Sequence, residues 1–439
     1  MSSEAIEEVP SPNSVIFSNA YIDERISEIC SETIAWDQHG LSEEHITALK
    51  AIDKVPLSEA GAVVDKNPTL YAFVFCTILL KVTDIEVLKY TLALASALLM
   101  DSKPLAAALN GLPTVFPPLS TLLDNEDAVA ALLAAKVIIL TLISAESPSV
   151  PVVEKLLACT HSKLATSDDF SLKDLAAQAY GAILSVKCTR SLFWSKITTY
   201  GPPLLENLKS GRGGLQLQYY TVLVFWLLSF ETEPAEHLNK TCDIIAIVMD
   251  IMKIAIKEKI IRVSVSLFSN LVTIAPEQNI TALLVVGGLP VIKSMALRKW
   301  TDSELEEDLN RLADTLQEAQ DKMSTFDEYL SELTTGRLKW SPAHKSVDFW
   351  KRNAELFKED DWKLLKELAK IISTSDDNTV LAVASNDISY VIGELPEGLV
   401  LLNTMGTKTK IMEMMTHPDA DVKYNALKAT QVFVARTFA

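Results

Sequence analysis

Six histidines, five cysteines, adjacent aspartate pairs and one glycine-rich turn are the residues of this 439-residue chain whose types could carry chemistry. A metalloprotease would need H-E-x-x-H, so that two imidazoles share one helix face; a zinc site would need C-x-x-C pairs; a serine hydrolase would need G-x-S-x-G. None of the three occurs. The histidines (His39, His45, His161, His237, His344, His417) stand singly among polar residues without a second histidine or a cysteine at helical spacing, which predicts surface or cap positions. The cysteines (Cys30, Cys76, Cys159, Cys188, Cys242) are odd in number, widely spread and absent from the last 197 residues, which predicts buried free thiols rather than disulfides. "GRGG" (Gly211 to Gly214) lacks the lysine and the preceding strand of a phosphate loop and reads as a turn. Asp360-Asp361 and Asp376-Asp377 are sequence neighbours whose side chains point apart, unlike the facing carboxylates of an acid and base pair. The sequence offers no catalytic residue, no metal ligands and no cofactor site, so a protein that is not an enzyme is expected.

Charge narrows the partners. With a net charge of −17 and a pI near 4.9, the chain repels a phosphate backbone and an anionic lipid surface, so nucleic acid is not expected as a partner. The most apolar stretch, "AVAALLAAKVIILTLI" (Ala128 to Ile143), is 16 residues long and contains Lys136, short of the roughly 20 residues that span a bilayer. It predicts a buried core helix and no direct membrane insertion. The start, "MSSEAIEEVPSPNS", is acidic and has no apolar signal core, so a cytosolic location is expected.

The elements that must position any site are helices. Only 14 glycines occur, while Leu, Ala, Lys and Glu, all good helix formers, recur throughout. A block of polar residues, an apolar anchor and an Ala/Leu-rich stretch repeats with anchors at Val87, Val129, Leu172, Leu217 and Ile261, at steps of 42, 43, 45 and 44; it resumes at Val380 and Val422, 42 apart. A helical period of about 40 to 47 belongs to armadillo and HEAT repeats. The fold expected is all-α, an armadillo/HEAT-like right-handed superhelix of helical repeats in two blocks joined by a short junction. "NGLPTVFPP", "YGPPLL" and "GGLP" read as the breaks between helices.

Between Ile261 and Val380 the ladder is interrupted for 119 residues. There Thr301 and Glu304 stand in the capping-box relation, and Leu305, Leu309, Leu312, Leu316, Ala319 and Met323 form a narrow stripe, predicting a helix that packs one face on the last repeat. Three of seven tryptophans, Trp340, Trp350 and Trp362, follow within 23 positions. Ser341-Pro342 reads as a helix start, with serine as cap and proline in the first turn, and Trp362 as sharing a helix face with Trp350. The boundaries expected are residues 1–320, a connecting segment 321–337, and residues 338–439.

The segment "STFDEYLSELTTGRLKWSPAHKSVDFWKRN" (Ser324 to Asn353) resembles the hallmark of the H subunit of the vacuolar-type proton ATPase (V-ATPase), a eukaryotic family with a pattern close to S-F-D-E-Y, E-L, G-x-L, W-S-P-x-H and F-W. "GLQLQY" (Gly214 to Tyr219), "IKEKIIR" (Ile256 to Arg262), "RKWTDSEL" (Arg298 to Leu305) and "DVKYNALKATQ" (Asp421 to Gln431) are further matches; Thr325 departs where the family usually has serine. The resemblance implies a non-catalytic regulatory component with a larger armadillo-like N-terminal domain and a smaller helical C-terminal domain. It implies, as partners, the E and G subunits of the peripheral stalk, the N-terminal domain of the membrane-sector a subunit, and catalytic-sector subunits or the rotor in an inhibited state. The expected location is the cytosolic face of vacuolar or endosomal membranes. Phe326, Tyr329, Trp340, Pro342, Phe349 and Trp350 are the candidate residues of a cap at the domain junction, and Asp376 and Asp377 the candidate inhibitory contact. A transport adaptor of armadillo type, the alternative, would repeat Trp and Asn at helical spacing; only Trp350 with Asn353 comes near.

Overall fold

The computed structural model describes residues 17–145, 148–322 and 325–437, and all regular structure among them is helical. Contacts divide the chain into two compact units, Met1–Pro276 and Glu277–Ala439.

In the first unit every ladder anchor lies at the start of a long helix. Val87 opens α1 (Ile85–Asp101), Val129 α2 (Ala128–Leu142), Leu172 α3 (Phe170–Ser185), Leu217 α4 (Gly214–Leu228) and Ile261 α5 (Glu258–Ile274). Each packs on the next, with shorter helices between them. A helix flanked on both sides is apolar nearly all round. In α2 every residue from Ala130 to Leu142 is buried, Lys136 among them, and burial lowers the pKa of its ammonium. The membrane-like stretch is therefore the middle of a stack.

What starts these helices is largely aspartate. Asp84 accepts from Glu86 N at 3.0 Å, Asp127 from Val129 N and Ala130 N at 2.9 Å each, and Asp169 from Ser171 N at 2.8 Å, each satisfying orphan donors of a first turn. α4 and α5 break the rule: Gly213 and Lys257 stand at their N-caps, and neither makes a side-chain cap bond. Gly213 has φ 85°, and a Cβ there would lie 2.4 Å from Leu217 Cδ2 and 2.9 Å from Phe170 Cδ1, so the turn read in "GRGG" demands glycine at this position.

Ahead of the stack, Ser18 exchanges two hydrogen bonds with Gln178 of α3: its N–H donates to Oε1 and its carbonyl accepts from Nε2, both at 3.0 Å. Asn19 Nδ2 donates to Ser171 O at 2.8 Å and caps the following helix, Ala20–Ser31, which packs on α1.

Two expectations for this unit need correction. "YGPPLL" is no break: Pro202 and Pro203 lie inside the helix Ile197–Ser210. They remove two intrahelical donors, and the helix continues because Ile197, Tyr200, Leu204 and Leu208 anchor its buried face. Nor are all the thiols buried: Cys76 and Cys242 are, Cys30 and Cys159 are half-buried, and Cys188 is exposed in a short 3-10 turn.

The second unit contains α6 (Gly288–Ala296) and α7 (Ser303–Lys322), which pack together. Leu305, Leu309, Leu312 and Leu316 are buried, as the stripe predicts; Met323 lies outside the described residues. Asp302 caps α7, accepting from Glu304 N at 3.0 Å and Leu305 N at 3.3 Å. Then come α8 (Thr325–Thr335), α9 (Pro342–Lys345), α10 (Val347–Asn353), α11 (Glu359–Thr374), α12 (Asn378–Glu394) and α13 (Ala420–Thr437). The last two carry the anchors Val380 and Val422 and pack on each other. One hydrophobic core runs from Tyr329 to Phe433.

Trp362 does not continue the helix of Trp350. Asp360, Asp361 and Trp362 take left-handed φ values of 48°, 57° and 62°, so the chain turns before α11 proper. Trp362 packs instead over Gly398, where a Cβ would meet its ring at 3.1 Å.

Gly213→Ala should cost on the order of 2 kcal/mol, from left-handed strain and the two close contacts, and lower the thermal midpoint. Gly211→Ala, at φ 62° with open space around it, should cost about half as much. Equal losses in thermal unfolding would show that the packing at Gly213 contributes nothing.

Candidate functional site: an aromatic and ionic hub

Short helices bring the aromatic residues of the opening core together. Tyr329 on α8 has its ring centroid 5.3 Å from Trp350, 5.4 Å from Phe349 and 6.0 Å from Phe357. Trp350 meets Phe349 edge-on at 5.3 Å and lies parallel to Tyr390 of α12, 5.7 Å away. Tyr329, Trp350 and Phe357 are fully buried. Such pairs are each worth about 0.5–1.5 kcal/mol beyond the area they remove from water. Phe326 stacks at the margin, 6.2 Å from both Tyr329 and Phe349.

Inside this apolar cage sits a charged trio. His344 of α9 is completely buried, with Nδ1 2.7 Å from Asp387 Oδ2 and Nε2 3.0 Å from Glu332 Oε2. Both ring nitrogens face carboxylates, so the imidazole must be doubly protonated to donate twice. Burial by itself would lower its pKa, but the bonds to Asp387 and Glu332 and their charges outweigh that and raise it to about 9. Complete burial pushes the Asp387 carboxyl up, against the pull of His344. The remaining capacity is used: Tyr329 Oη donates to Asp387 Oδ2 at 3.3 Å, Lys339 N to Glu332 Oε2 at 3.2 Å, and Asn386 Nδ2 to His344 O at 2.8 Å. Lys428 of α13 donates to Asn386 Oδ1 at 2.8 Å and lies 4.0 Å over the Tyr390 ring. Four elements, α8, α9, α12 and α13, are thereby tied by polar bonds.

The structure brings Phe326, Tyr329, Phe349 and Trp350 into this hub. Pro342 is the first residue of α9, where proline fits, but Ser341 makes no side-chain cap bond and its hydroxyl is buried without a partner. A helix of four residues leaves it little to cap; Ser346 caps α10 instead, accepting from Phe349 N at 3.2 Å. Trp340 stays half-buried beside the hub, with the Lys345 ammonium 5.6 Å over its ring. It lines a pocket of about 280 Å³ with Val285, Gly287, Glu328 and Lys339, whose Nζ donates to Val285 O at 2.9 Å. Asp376 and Asp377 lie elsewhere, at the exposed turn before α12, and Asp377 is its cap, accepting from Thr379 N at 2.7 Å and Val380 N at 3.2 Å.

Sequence reasoning missed the ionic half. His344 is neither a surface nor a cap residue, because its partners lie 12 and 43 positions away. The second distance is the repeat period itself, and that was the usable signal. Among the described residues no group of histidine, cysteine and carboxylates is placed to hold a metal ion, and no single helix is long and apolar enough to cross a membrane.

Fold and hub together define a protein of stacked helical repeats whose buried polar groups join helices to one another. Two family models, both described as the H subunit of the V-ATPase, match residues 20–316 and 322–438. The chain belongs to the V-ATPase H-subunit family. Among its relatives, a probable H subunit of the V-type proton ATPase from Oryza sativa subsp. japonica is 28% identical, with 94% of this chain and 97% of that protein covered. The V-type proton ATPase H subunit from Drosophila melanogaster is 26% identical over 95% and 90%, and a probable H subunit from Caenorhabditis elegans, form 2, is 33% identical over 53% and 50%. Of solved structures, a designed armadillo repeat protein is similar at 16% identity and a TM-score of 0.45, covering 55% of this chain and 98% of that one.

His344→Gln should destabilise the second unit by roughly 3–5 kcal/mol, since it leaves carboxylates buried without their cation. Because the folded pKa, about 9, lies above the ordinary value near 6.5, the contribution of His344 is complete below about pH 6.5 and is lost as pH rises through about 9. Urea unfolding should show that decline in the wild-type chain and not in His344→Gln. A decline of equal size in both would remove His344 as its cause.

Proposed function

We propose that the chain is a non-catalytic regulatory component of the soluble sector of the vacuolar-type proton ATPase. In this reading it bridges the E and G subunits of the peripheral stalk to the N-terminal domain of the membrane-sector a subunit, supports coupled ATP hydrolysis and proton pumping in the assembled pump, and silences hydrolysis when the soluble sector is released. Residues 1–320 act as the stalk-binding domain, 321–337 as the connection, and 338–439 as the domain that changes partner. The place of work is the cytosolic face of vacuolar or endosomal membranes.

The observation that carries the reading is membership of the V-ATPase H-subunit family over nearly the whole chain, with matches over 20–316 and 322–438. Physical features support it. Stacked repeats offer long surfaces for extended or helical partners, and the ionic hub gives the second block a rigid core of its own. A small rigid body that ties a rotor to a stator is sufficient to stop a rotary motor.

Within this reading the turn Ser373 to Thr379 makes the inhibitory contact. Asp377 also caps α12, so its replacement by alanine carries a stability loss of about 1 kcal/mol; Asp376, which is exposed, is the cleaner probe.

The purified chain should hydrolyse no ATP by itself and should lower the ATPase rate of a purified soluble sector from which the corresponding component has been removed. Asp376→Ala should weaken that inhibition at an unchanged thermal midpoint. Intrinsic ATPase activity, or no effect on the soluble sector, would overturn the regulatory reading; undiminished inhibition by Asp376→Ala would remove only the turn.

A further inference from the structure

Two segments of the first unit, "GLQLQYY" and "IKEKII", are about 40 residues apart and converge on one pocket. It has a volume of about 290 Å³ and is lined by Leu215, Gln216, Tyr219 and Tyr220 from α4 and by Lys257, Lys259 and Ile260 at the start of α5. The tyrosine rings meet edge to face, 5.2 Å between centroids, and the Lys259 ammonium sits 4.0 Å over Tyr219. Beside the pocket, Ile254 and Ile256 are 77% and 90% exposed, and Leu215 on its wall is 51% exposed.

The charges are placed against the interest of the fold. α1, α2 and α3 begin with an aspartate that caps the helix. α5 begins instead with Lys257, Glu258 and Lys259, the two lysines exposed at the end of the helix dipole that repels cations. Among the described residues neither lysine is in an ion pair, although the chain as a whole carries −17. The ring of Tyr219 offsets part of that repulsion for Lys259 and leaves Lys257 without compensation; an anionic group arriving from outside would supply it to both.

We infer that this pocket is a docking site for an acidic segment of a partner protein, one that inserts an aliphatic or aromatic side chain between Leu215 and the two tyrosines while its carboxylates meet Lys257 and Lys259. The inference rests on the reading of the first unit as a docking platform. A protein segment fits better than a lipid headgroup because an apolar wall of Leu215, Ile260 and the two tyrosine rings stands beside the lysines, ready for a side chain of that segment. The neighbouring amide row already holds extended backbone, since Gln178 takes both backbone groups of Ser18. Gln216, on the pocket wall, donates to Asp174 of α3, one turn before Gln178.

The test uses the full chain and a fluorescein-labelled peptide of alternating glutamate and leucine with a central phenylalanine, its glutamate-to-lysine counterpart, and phosphatidylserine vesicles. Anisotropy should show salt-sensitive binding of the acidic peptide and at least tenfold weaker binding of the basic one. Lys257→Glu/Lys259→Glu should lose at least tenfold in affinity while its thermal midpoint stays level or rises, because glutamate suits a helix start. Tyr219→Ala should lose affinity as well. The proposal is overturned by absence of binding, by equal affinity for the two peptides, by affinity unchanged in the charge reversal, or by vesicle flotation stronger than peptide binding. Tighter peptide binding after deletion of residues 1–16 would assign the pocket to the chain's own acidic start and overturn it too. None of these outcomes involves the pump, so the proposed regulatory role stands or falls separately.

Discussion

A helix that is apolar on two opposite faces has to find an equivalent helix one repeat away on each side, and the rest of this molecule follows from that condition. It sets the spacing of the anchors and also the spacing of the polar bonds. Gln216 to Asp174, Arg190 to Glu231, Asn270 to Ser229, Asn378 to Asp419, His344 to Asp387 and Lys428 to Asn386 all join positions 41 to 43 residues apart. Stacking places like positions side by side, so a polar group admitted to the interior can meet a partner in the next repeat. The apolar faces hold the stack together; these rungs fix which helix lies against which.

The hub is the most heavily charged of the rungs. Two carboxylates around one imidazolium cost a great deal to desolvate, and that cost is tolerable only because every nitrogen and nearly every oxygen has a partner. Tyr329 belongs to both halves, with its ring in the aromatic cage and its hydroxyl on Asp387. Lys428 closes the arrangement from outside, bonded to Asn386 and lying over Tyr390, which in turn stacks on Trp350. Charge and aromatic packing in this unit are one network.

Much of the architecture was legible because burial on two faces leaves a nearly continuous apolar composition and a fixed period. Ala128–Leu142 and Asn378–Glu394 could be placed on those grounds alone. The aromatic part of the hub was visible as an unusual concentration of large rings in a chain that is 7% aromatic. Its ionic part was not, because a histidine among polar neighbours looks solvated until residues 12 and 43 positions away are brought to it. Local rules failed where packing overrode them. Pro202 and Pro203 sit inside a helix held by its buried face, and three left-handed residues at 360–362 turn the chain ahead of α11 with no glycine or proline to mark the turn. Ser341 has the residue type of a cap and the wrong helix to cap.

Most contacts in a stack of repeats are short in sequence, so each repeat can settle onto the one made just before it. The bonds of Ser18 and Asn19 to α3 are an exception, and the clip between Ser18 and Gln178 spans 160 residues. At a synthesis rate of about 5–20 residues per second, its second half is made roughly 8–30 s after its first. During that interval the chain's beginning has no amide to hold it, because the row that will receive it has not yet been made.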